Sequence, residues 1–330
     1  MNHPVPPHER GAALLAVLLL VAVVGALTAS ALERLRLSTS LASNIVALDQ
    51  ARAFAIGIES LIALTIDDLI ARSPERTTLA GGWSGNPRRL PMPGGAMAEA
   101  TLRDGGNCFN INSVAQGLPP ALLTPRPVGM AQFQALMQLL EVPEGTARRI
   151  AEAAGVWVDS DSNPNREGAE DQQYARAQQG YRTGNTLFAD VSELRAVSGM
   201  TPEVYERVRP WLCVLPTTDL SPLNVNTLTS DQAPLLAMLA PLQIGLDTAS
   251  GVIAGRPVAG WPSLVDFYAA PPLQGVTLPL DVQLQPQLRT RWFALDVRVE
   301  LQGAELNETA LIDARLAPAR IAVRRWGSED

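Results

Sequence analysis

The chain has 330 residues, 47% of them hydrophobic, and a formal net charge of −7. This length leaves room for one membrane segment and about two folded units, and the acidic balance argues against a duplex nucleic-acid partner. There is no lysine, and both histidines, His3 and His8, lie before residue 11. If the leader is removed, Ser-His-Asp and Cys-His sites, Schiff-base lysines and His-ligated metals are excluded. Catalysis by carboxylates alone remains open, and we expect a protein that is not an enzyme.

An uncharged stretch rich in Leu, Val and Ala runs from Ala12 to Leu32. A helix of this length rises about 30 Å, the thickness of a bilayer's hydrocarbon core. Residues 12–32 are therefore predicted to form a transmembrane helix, preceded by a polar leader, residues 1–11, that ends in Arg10-Gly11. A cut after Gly11 would leave Ala12 as the new N-terminus. Two alternatives remain open: a signal peptide cut near Ala29-Ser30-Ala31, and an uncut membrane anchor.

Apolar residues recur every three or four positions between Leu37 and Leu69. This spacing predicts that residues 33–75 continue the membrane helix as an amphipathic helix. The two parts together would form one helix of about 60 residues, roughly 90 Å long. Gly57 is the position at which it could bend.

Two separate parts of the chain have the patterns of strands. Residues 76–114 are rich in Gly and Pro, which favours turns and short strands such as Ala98 to Arg103, and we assign them to the first part of a β domain. In residues 276–330, apolar side chains alternate from Phe293 to Leu301. We expect three antiparallel strands there, packed on the N-terminal helix.

The residues between these parts are predicted to be helical. We assign 115–222 to an inserted α-helical domain and 223–275 to a second helical subdomain. A repeated Asn-x-Asn motif marks the start of each one, with its asparagines at Asn110, Asn112, Asn224 and Asn226. In each motif, the second Asn or the hydroxyl residue after it is expected to cap the following helix.

Within the first helical domain, Asp190 and Glu193 form a capping-box signature. A turn at Gly199 follows, and a helix then starts at Thr201-Pro202. This pattern is typical of a helix-hairpin-helix element, and a similar one starts at Trp261. Such hairpins can bind phosphate, but the acidic balance favours a structural role.

The strongest chemical signal is an acidic loop that begins at Asp159. Counted from there, oxygen donors fall at positions 1, 3, 5, 7, 9 and 12, the pattern of a calcium-binding EF-hand loop, with Glu170 at the twelfth. Position six is Pro164 instead of Gly, so the ligand geometry must differ from that of an EF-hand. The alternative is a solvated acidic loop.

Two cysteines, Cys108 and Cys213, follow the membrane segment. Two cysteines are too few for a structural zinc site. In an oxidising compartment a disulfide between them is the expected state, and two separate buried thiols are the alternative.

With these pieces in view, the chain resembles a minor pseudopilin of type II secretion, the general secretion pathway protein K family. The resemblance covers nearly the whole length. Its residues are the leader end Arg10-Gly11, Ala16 where most prepilins have Glu, the two Asn-x-Asn motifs, the run from Trp157 to Tyr174, and Ser192 to Arg195. It implies an α+β fold in which a pilin-like long N-terminal helix packs on an antiparallel sheet, with a large inserted all-α, helix-hairpin-helix or SAM-like domain.

The resemblance also implies a structural calcium ion, carried onto Asp159, Asp161, Glu170 and Asp171. It implies cutting after Gly11 and methylation of the new N-terminus by prepilin peptidase. The chain would then cross the inner membrane once, with its body in the periplasm.

The expected partners are the minor pseudopilins I and J and the other pseudopilins, with no nucleic acid. The expected function is a non-enzymatic subunit at the tip of the pseudopilus, where it initiates or caps assembly. The alternatives are a membrane-anchored helix-hairpin-helix protein that binds nucleic acid, and a secreted calcium-dependent enzyme.

Overall fold

A computed structural model describes residues 7–119, 122–160 and 183–327 of the protein, with side chains from residue 14 onward. Its first element is one α-helix, α1, of 66 residues from Pro7 to Arg72. Pro7 suits the first turn of a helix, and the next proline is Pro74, so nothing in between interrupts the backbone hydrogen bonds. The predicted single long helix is confirmed, and it continues through Gly57.

The strands, in chain order, are β1 (Arg88–Pro91), β2 (Met97–Asp104), β3 (Phe109–Asn110), β4 (Ala115–Leu118), β5 (Leu122–Pro125), β6 (Leu212–Cys213), β7 (Leu223–Asn224), β8 (Pro286–Gln287), β9 (Trp292–Leu301), β10 (Ala304–Asp313) and β11 (Arg320–Trp326). After α1, the α-helices are α2 (Pro127–Leu139), α3 (Glu144–Val158), α4 (Pro202–Val208), α5 (Ala233–Ala237), α6 (Leu246–Ala254), α7 (Leu264–Tyr268) and α8 (Leu280–Gln283). Short 3-10 helices include Ile111–Val114 and Val191–Ala196.

Five strands form one antiparallel sheet in the order β1-β2-β9-β10-β11. Alternate residues of β9, from Phe293 to Leu301, are buried and face α1, because successive side chains of a strand point to opposite faces. The helix meets them with small and branched side chains such as Ala51, Ala55 and Ile58. The predicted three C-terminal strands on the N-terminal helix are confirmed.

Two helical units are inserted between β2 and β9. The first, which holds α2, α3 and α4, lies between β3 and β6, which pair in parallel, with Phe109 opposite Leu212. The second, which holds α5 to α8, lies between β7 and β8, which also pair in parallel, with Leu223 opposite Pro286. Each unit therefore begins and ends at the same place, and the two share one hydrophobic core.

The units do not begin and end where the sequence suggested. The helical core already includes Phe109 and Ile111, although residues up to 114 were assigned to the β domain. It also includes Leu278 and Val282, although the C-terminal strands were predicted to begin at 276. The physical reason is that each unit is closed by a pair of strands only two residues long, and strands this short leave no periodic pattern in the sequence that could mark the boundary.

Candidate functional site

The N-terminal part of α1 projects from the folded body. Its side chains are exposed from Leu14 to Val46, and Ala47 is the first buried one. Within the described part of the chain, this is the one helix long and apolar enough to cross a membrane, with a mean hydropathy of 2.6 in its most apolar window. It is consistent with a single membrane anchor. Gly11 and Ala12 lie within α1, and cutting between them stays a prediction.

The first Asn-x-Asn motif joins distant parts of the first helical unit. Asn112 is fully buried; its amide donates to the carbonyl of Phe188, at 3.1 Å, and its oxygen accepts the Phe188 N–H, at 2.8 Å. Asn110 donates to the carbonyls of Thr217 and Asp219, at 2.9 and 3.0 Å. One side chain thus satisfies both backbone groups of a residue 76 positions away, which fixes the fold of the unit.

The second motif repeats this geometry in the second unit. Asn226 donates to the carbonyl of Trp261, at 3.1 Å, and accepts the Trp261 N–H, at 2.6 Å. Gly260 is required beside it, because a Cβ there would lie 2.8 Å from the Asn226 oxygen. The two motifs are therefore structurally equivalent, with Phe188 and Trp261 in the same role.

The segments after Phe188 and Trp261 are also alike. Asp190 caps the 3-10 helix Val191–Ala196 in a capping box with Glu193, and Ser263 caps α7 by accepting the N–H of Asp266. The predicted capping box is confirmed, as is the helix start at Thr201-Pro202, where the Thr201 hydroxyl accepts the Val204 N–H.

The predicted role of the motif asparagines as caps was partly wrong. The first Asn, and not the second, caps: the Asn110 oxygen accepts the Asn112 N–H at the start of Ile111–Val114. In the second motif the residues after Asn224 form a turn, not a helix. The second Asn of each motif binds a distant backbone segment instead, a partner that local sequence does not reveal.

Cys108 and Cys213 are joined by a disulfide in the structure, with their Cα atoms 5.7 Å apart. The bond lies beside the β3–β6 pair, in which Asn110 is opposite Cys213. It therefore closes the point at which the chain enters and leaves the first helical unit.

The acidic loop begins at the end of α3. Asp159 is buried, with 4% of its surface exposed, and its N–H is bonded to the carbonyl of Gly155. The two ends of the loop lie together, because the Asn185 N–H donates to the carbonyl of Trp157 at 3.0 Å. The Ser160 hydroxyl in turn accepts the Leu123 N–H and donates to the Leu123 carbonyl, both at 3.1 Å.

The other predicted ligands, Asp161, Glu170 and Asp171, lie outside the described residues. Among residues 7–119, 122–160 and 183–327, no three His, Cys, Asp or Glu side chains form a group that could hold a metal ion. Of the four predicted ligands, Asp159 is the one that lies among the described residues, and a single carboxylate does not make a calcium site. Calcium binding stays a prediction.

Two sets of charged residues that join separate elements were not predicted. In the first set, Asp104 is half-buried. The carboxylate of Asp104, at the end of β2, accepts hydrogen bonds from the hydroxyls of Thr227 and Thr290 and from the Gly106 N–H. Burial raises the pKa of Asp104 although these donors oppose the shift. Asp104 therefore joins the sheet to the second helical unit.

The second set lies between α1 and the sheet, where Arg324 of β11 binds both oxygens of Glu59, and Glu308 of β10 lies beside them. Glu59 and Glu308 are buried, whereas the Arg324 side chain is 34% exposed. A sequence signal existed for this set. Glu308 interrupts the apolar, inward-facing positions of β10, between Leu306 and Ala310.

A long N-terminal helix on an antiparallel sheet, with helical units inserted between two strands, defines a pilin-like protein. Models of the family "Type II secretion system (T2SS), protein K" match residues 107–217 and 223–290. These ranges coincide closely with the two helical units.

Type II secretion system protein K of Klebsiella pneumoniae is 37% identical over 99% of this chain and 98% of its own length. That of Pectobacterium carotovorum is 30% identical over 97% of both chains. A chain in the crystal structure of the GspK-GspI-GspJ complex from enterotoxigenic Escherichia coli matches the fold with a TM-score of 0.72 and 29% identity. That match covers 85% of this chain and 97% of the other. The chain belongs to the type II secretion system protein K family.

Proposed function

We propose that the protein is a non-enzymatic minor pseudopilin that caps the pseudopilus of a type II secretion system and initiates its assembly. The supporting observation is the likeness, over 85% of this chain and 97% of the solved one, to a chain of a complex that also contains GspI and GspJ. By that likeness, the partners are the minor pseudopilins I and J of the same system.

The fold supplies a reason for a position at the tip. In a helical fibre each subunit must leave room above it for the next one. Here two helical units follow the end of β2, at Asp104, and the chain returns at Trp292 to begin β9. A body of this size on one end of the sheet blocks the stacking of a further subunit.

The proposed processing follows from the same assignment. Prepilin peptidase cuts between Gly11 and Ala12 and methylates Ala12, and the exposed apolar part of α1 anchors the body on the periplasmic side of the inner membrane. A mass spectrum of the protein from a host with this peptidase should begin at a methylated Ala12; an intact leader would contradict this step.

The cap can be tested by removing the helical units. Asp104 is opposite Phe293 in the β2–β9 register, so residues 106–290 can be replaced by a short hairpin that leaves the strand pair intact. The sheet and α1 have a hydrophobic core of their own, apart from the helical one.

We expect cells with this variant to produce longer pseudopili than cells with the full chain, measured by electron microscopy of sheared fibres. The matched control replaces exposed Asn86 in the full chain with Ala and should leave fibre length unchanged. If fibres of the deletion variant keep the normal length while the variant still co-purifies with I and J, the capping function is refuted.

A further inference from the structure

Two neighbouring arginines of β11 bind different parts of the molecule. Arg324 faces α1, where its Nε lies 2.8 Å from Oε1 of Glu59 and its Nη2 binds Oε2. Arg325 donates to the carbonyl of Ala189 and lies 3.2 Å from the carboxylate of Asp190, in the first helical unit. Because β11 is an edge strand, β10 is its one ladder partner in the described sheet. These two arginines therefore make β11 a link between α1 and the helical unit.

The contact with α1 has two carboxylates and one guanidinium. Glu59 and Glu308 are 2% and 1% exposed. Arg324 is bidentate to Glu59, and its Nε is 3.4 Å from Oε1 of Glu308. Neither carboxylate oxygen of Glu308 has a regular hydrogen bond to a described group. A buried carboxylate without such bonds is costly, and binding a proton removes the cost.

The charged groups that act on Glu308 are Glu59 from α1 and Arg324 from β11. From β9, its register partner is the apolar Val297, and the next acidic group along α1 at this interface, Asp67, accepts the Ala319 N–H. Burial, then the adjacent carboxylate of Glu59, raises the pKa of Glu308 to about 8. For Glu59, burial acts upward, but the hydrogen bonds and charge of Arg324 help to lower its pKa overall.

We propose that β11 is a proton-dependent strap between α1 and the first helical unit. While Glu308 and Glu59 hold one proton between them, Arg324 is fixed against α1, and Arg325 holds the helical unit. Loss of the proton leaves two buried carboxylates against one guanidinium, which loosens β11 and weakens the hold of Arg325. The strap would let the helical unit respond to the pH around it.

The direction of the pH effect follows from proton linkage. Glu308 has an ordinary pKa of 4.5 when unfolded and a raised one when folded, so the folded chain holds the extra proton between these two values. The contribution of Glu308 to the stability of the fold is therefore fully present below pH 4.5 and is lost as the pH rises to about 8. Glu59 acts in the opposite direction. Because folding lowers its pKa, its contribution to the stability of the fold is present above its ordinary pKa and is lost as the pH falls. The strap is therefore tightest in weak acid.

Hydrogen–deuterium exchange of the full chain in detergent micelles tests this, with rates corrected for intrinsic exchange. From about pH 6 to about pH 9, amides of residues 320–326 and 189–196 in the wild type should lose at least about tenfold of their protection. In Glu308→Gln, which is neutral throughout, protection should not change with pH. Glu305→Gln, an exposed carboxylate on the same strand, should behave as the wild type.

The same pH dependence in wild type and Glu308→Gln, or none in the wild type, overturns the proposal. If Glu308→Gln does not fold, the side-chain carboxyl of Glu308 can be titrated by carbon-13 NMR in the wild type. A midpoint near 8 supports the strap, and one near 4.5 refutes it. Arg325→Ala should reduce the protection of residues 189–196 while residues 320–326 keep theirs, because Arg324 still holds β11 on α1. An equal loss of protection in both segments would contradict the separate roles of the two arginines.

Discussion

Removing the Asn226 side chain should destabilise the second helical unit strongly. Asn226 is 1% exposed and satisfies both the N–H and the carbonyl of Trp261. In Asn226→Ala both groups are left buried without partners, and each unsatisfied group costs about 1–3 kcal/mol. Because water entering the vacated space recovers part of this, we expect a loss of about 2–4 kcal/mol in the free energy of unfolding.

Urea titration of the full chain in micelles, followed by tryptophan fluorescence and circular dichroism, measures this loss. The control is Asn86→Ala, which removes two exposed hydrogen bonds, from the Asn86 amide to the carbonyls of Gly82 at 3.0 Å and Ser84 at 3.4 Å, and should cost less than about 1 kcal/mol because both groups can bond to water instead. Asn226→Asp should cost at least as much as Asn226→Ala, because a carboxylate oxygen would then face the Trp261 carbonyl. A change below about 0.5 kcal/mol in Asn226→Ala would refute the stabilising role of the Asn226 hydrogen bonds to Trp261, since surface substitutions alone have effects of that size.

Two further predictions concern the disulfide and the acidic loop. Replacing Cys108 and Cys213 together with Ser should lower the free energy of unfolding by about 4–5 kcal/mol, the loop-closure entropy for about 100 residues; a mass that does not rise when the wild type is reduced would show that the bond is absent. Added calcium at about 100 times its dissociation constant should stabilise the wild type by about 2.7 kcal/mol and Asp159→Asn by less, with Glu144→Gln as the exposed control on the same helix. Equal melting temperatures in calcium and in chelator would rule out a structural calcium ion.

The sequence predicted the elements with a strong period. The apolar stretch and the stripe that ends at Leu69 predicted α1, and alternation from Phe293 predicted β9, because these patterns extend over many residues. The Asn-x-Asn motifs were found as a repeat, but their bonding was not. Their partners Phe188 and Trp261 lie 76 and 35 positions away, and no local pattern records such a distance.

The charged contacts show the same limit. Strand alternation places Glu308 on the inward face of β10, so a buried carboxylate could have been predicted from sequence. Its neighbours Glu59 and Arg324 come from elements that meet only in the folded chain. The acidic loop was the reverse case, because its donors are close in sequence and the pattern alone suggested a cation.

The parallel pairs that close the helical units bear on the order in which the protein folds. Strands β2 and β9 pair Asp104 with Phe293, and closing a loop of about 190 residues by chance is slow. The pairs β3–β6 and β7–β8 bring the two ends of each unit together. Once both units have closed, the effective length of chain between β2 and β9 is only a few residues, so the pairing of these two strands becomes a local step. We therefore expect the two units to be able to form before β2 meets β9, which would shorten the search for the central strand pair.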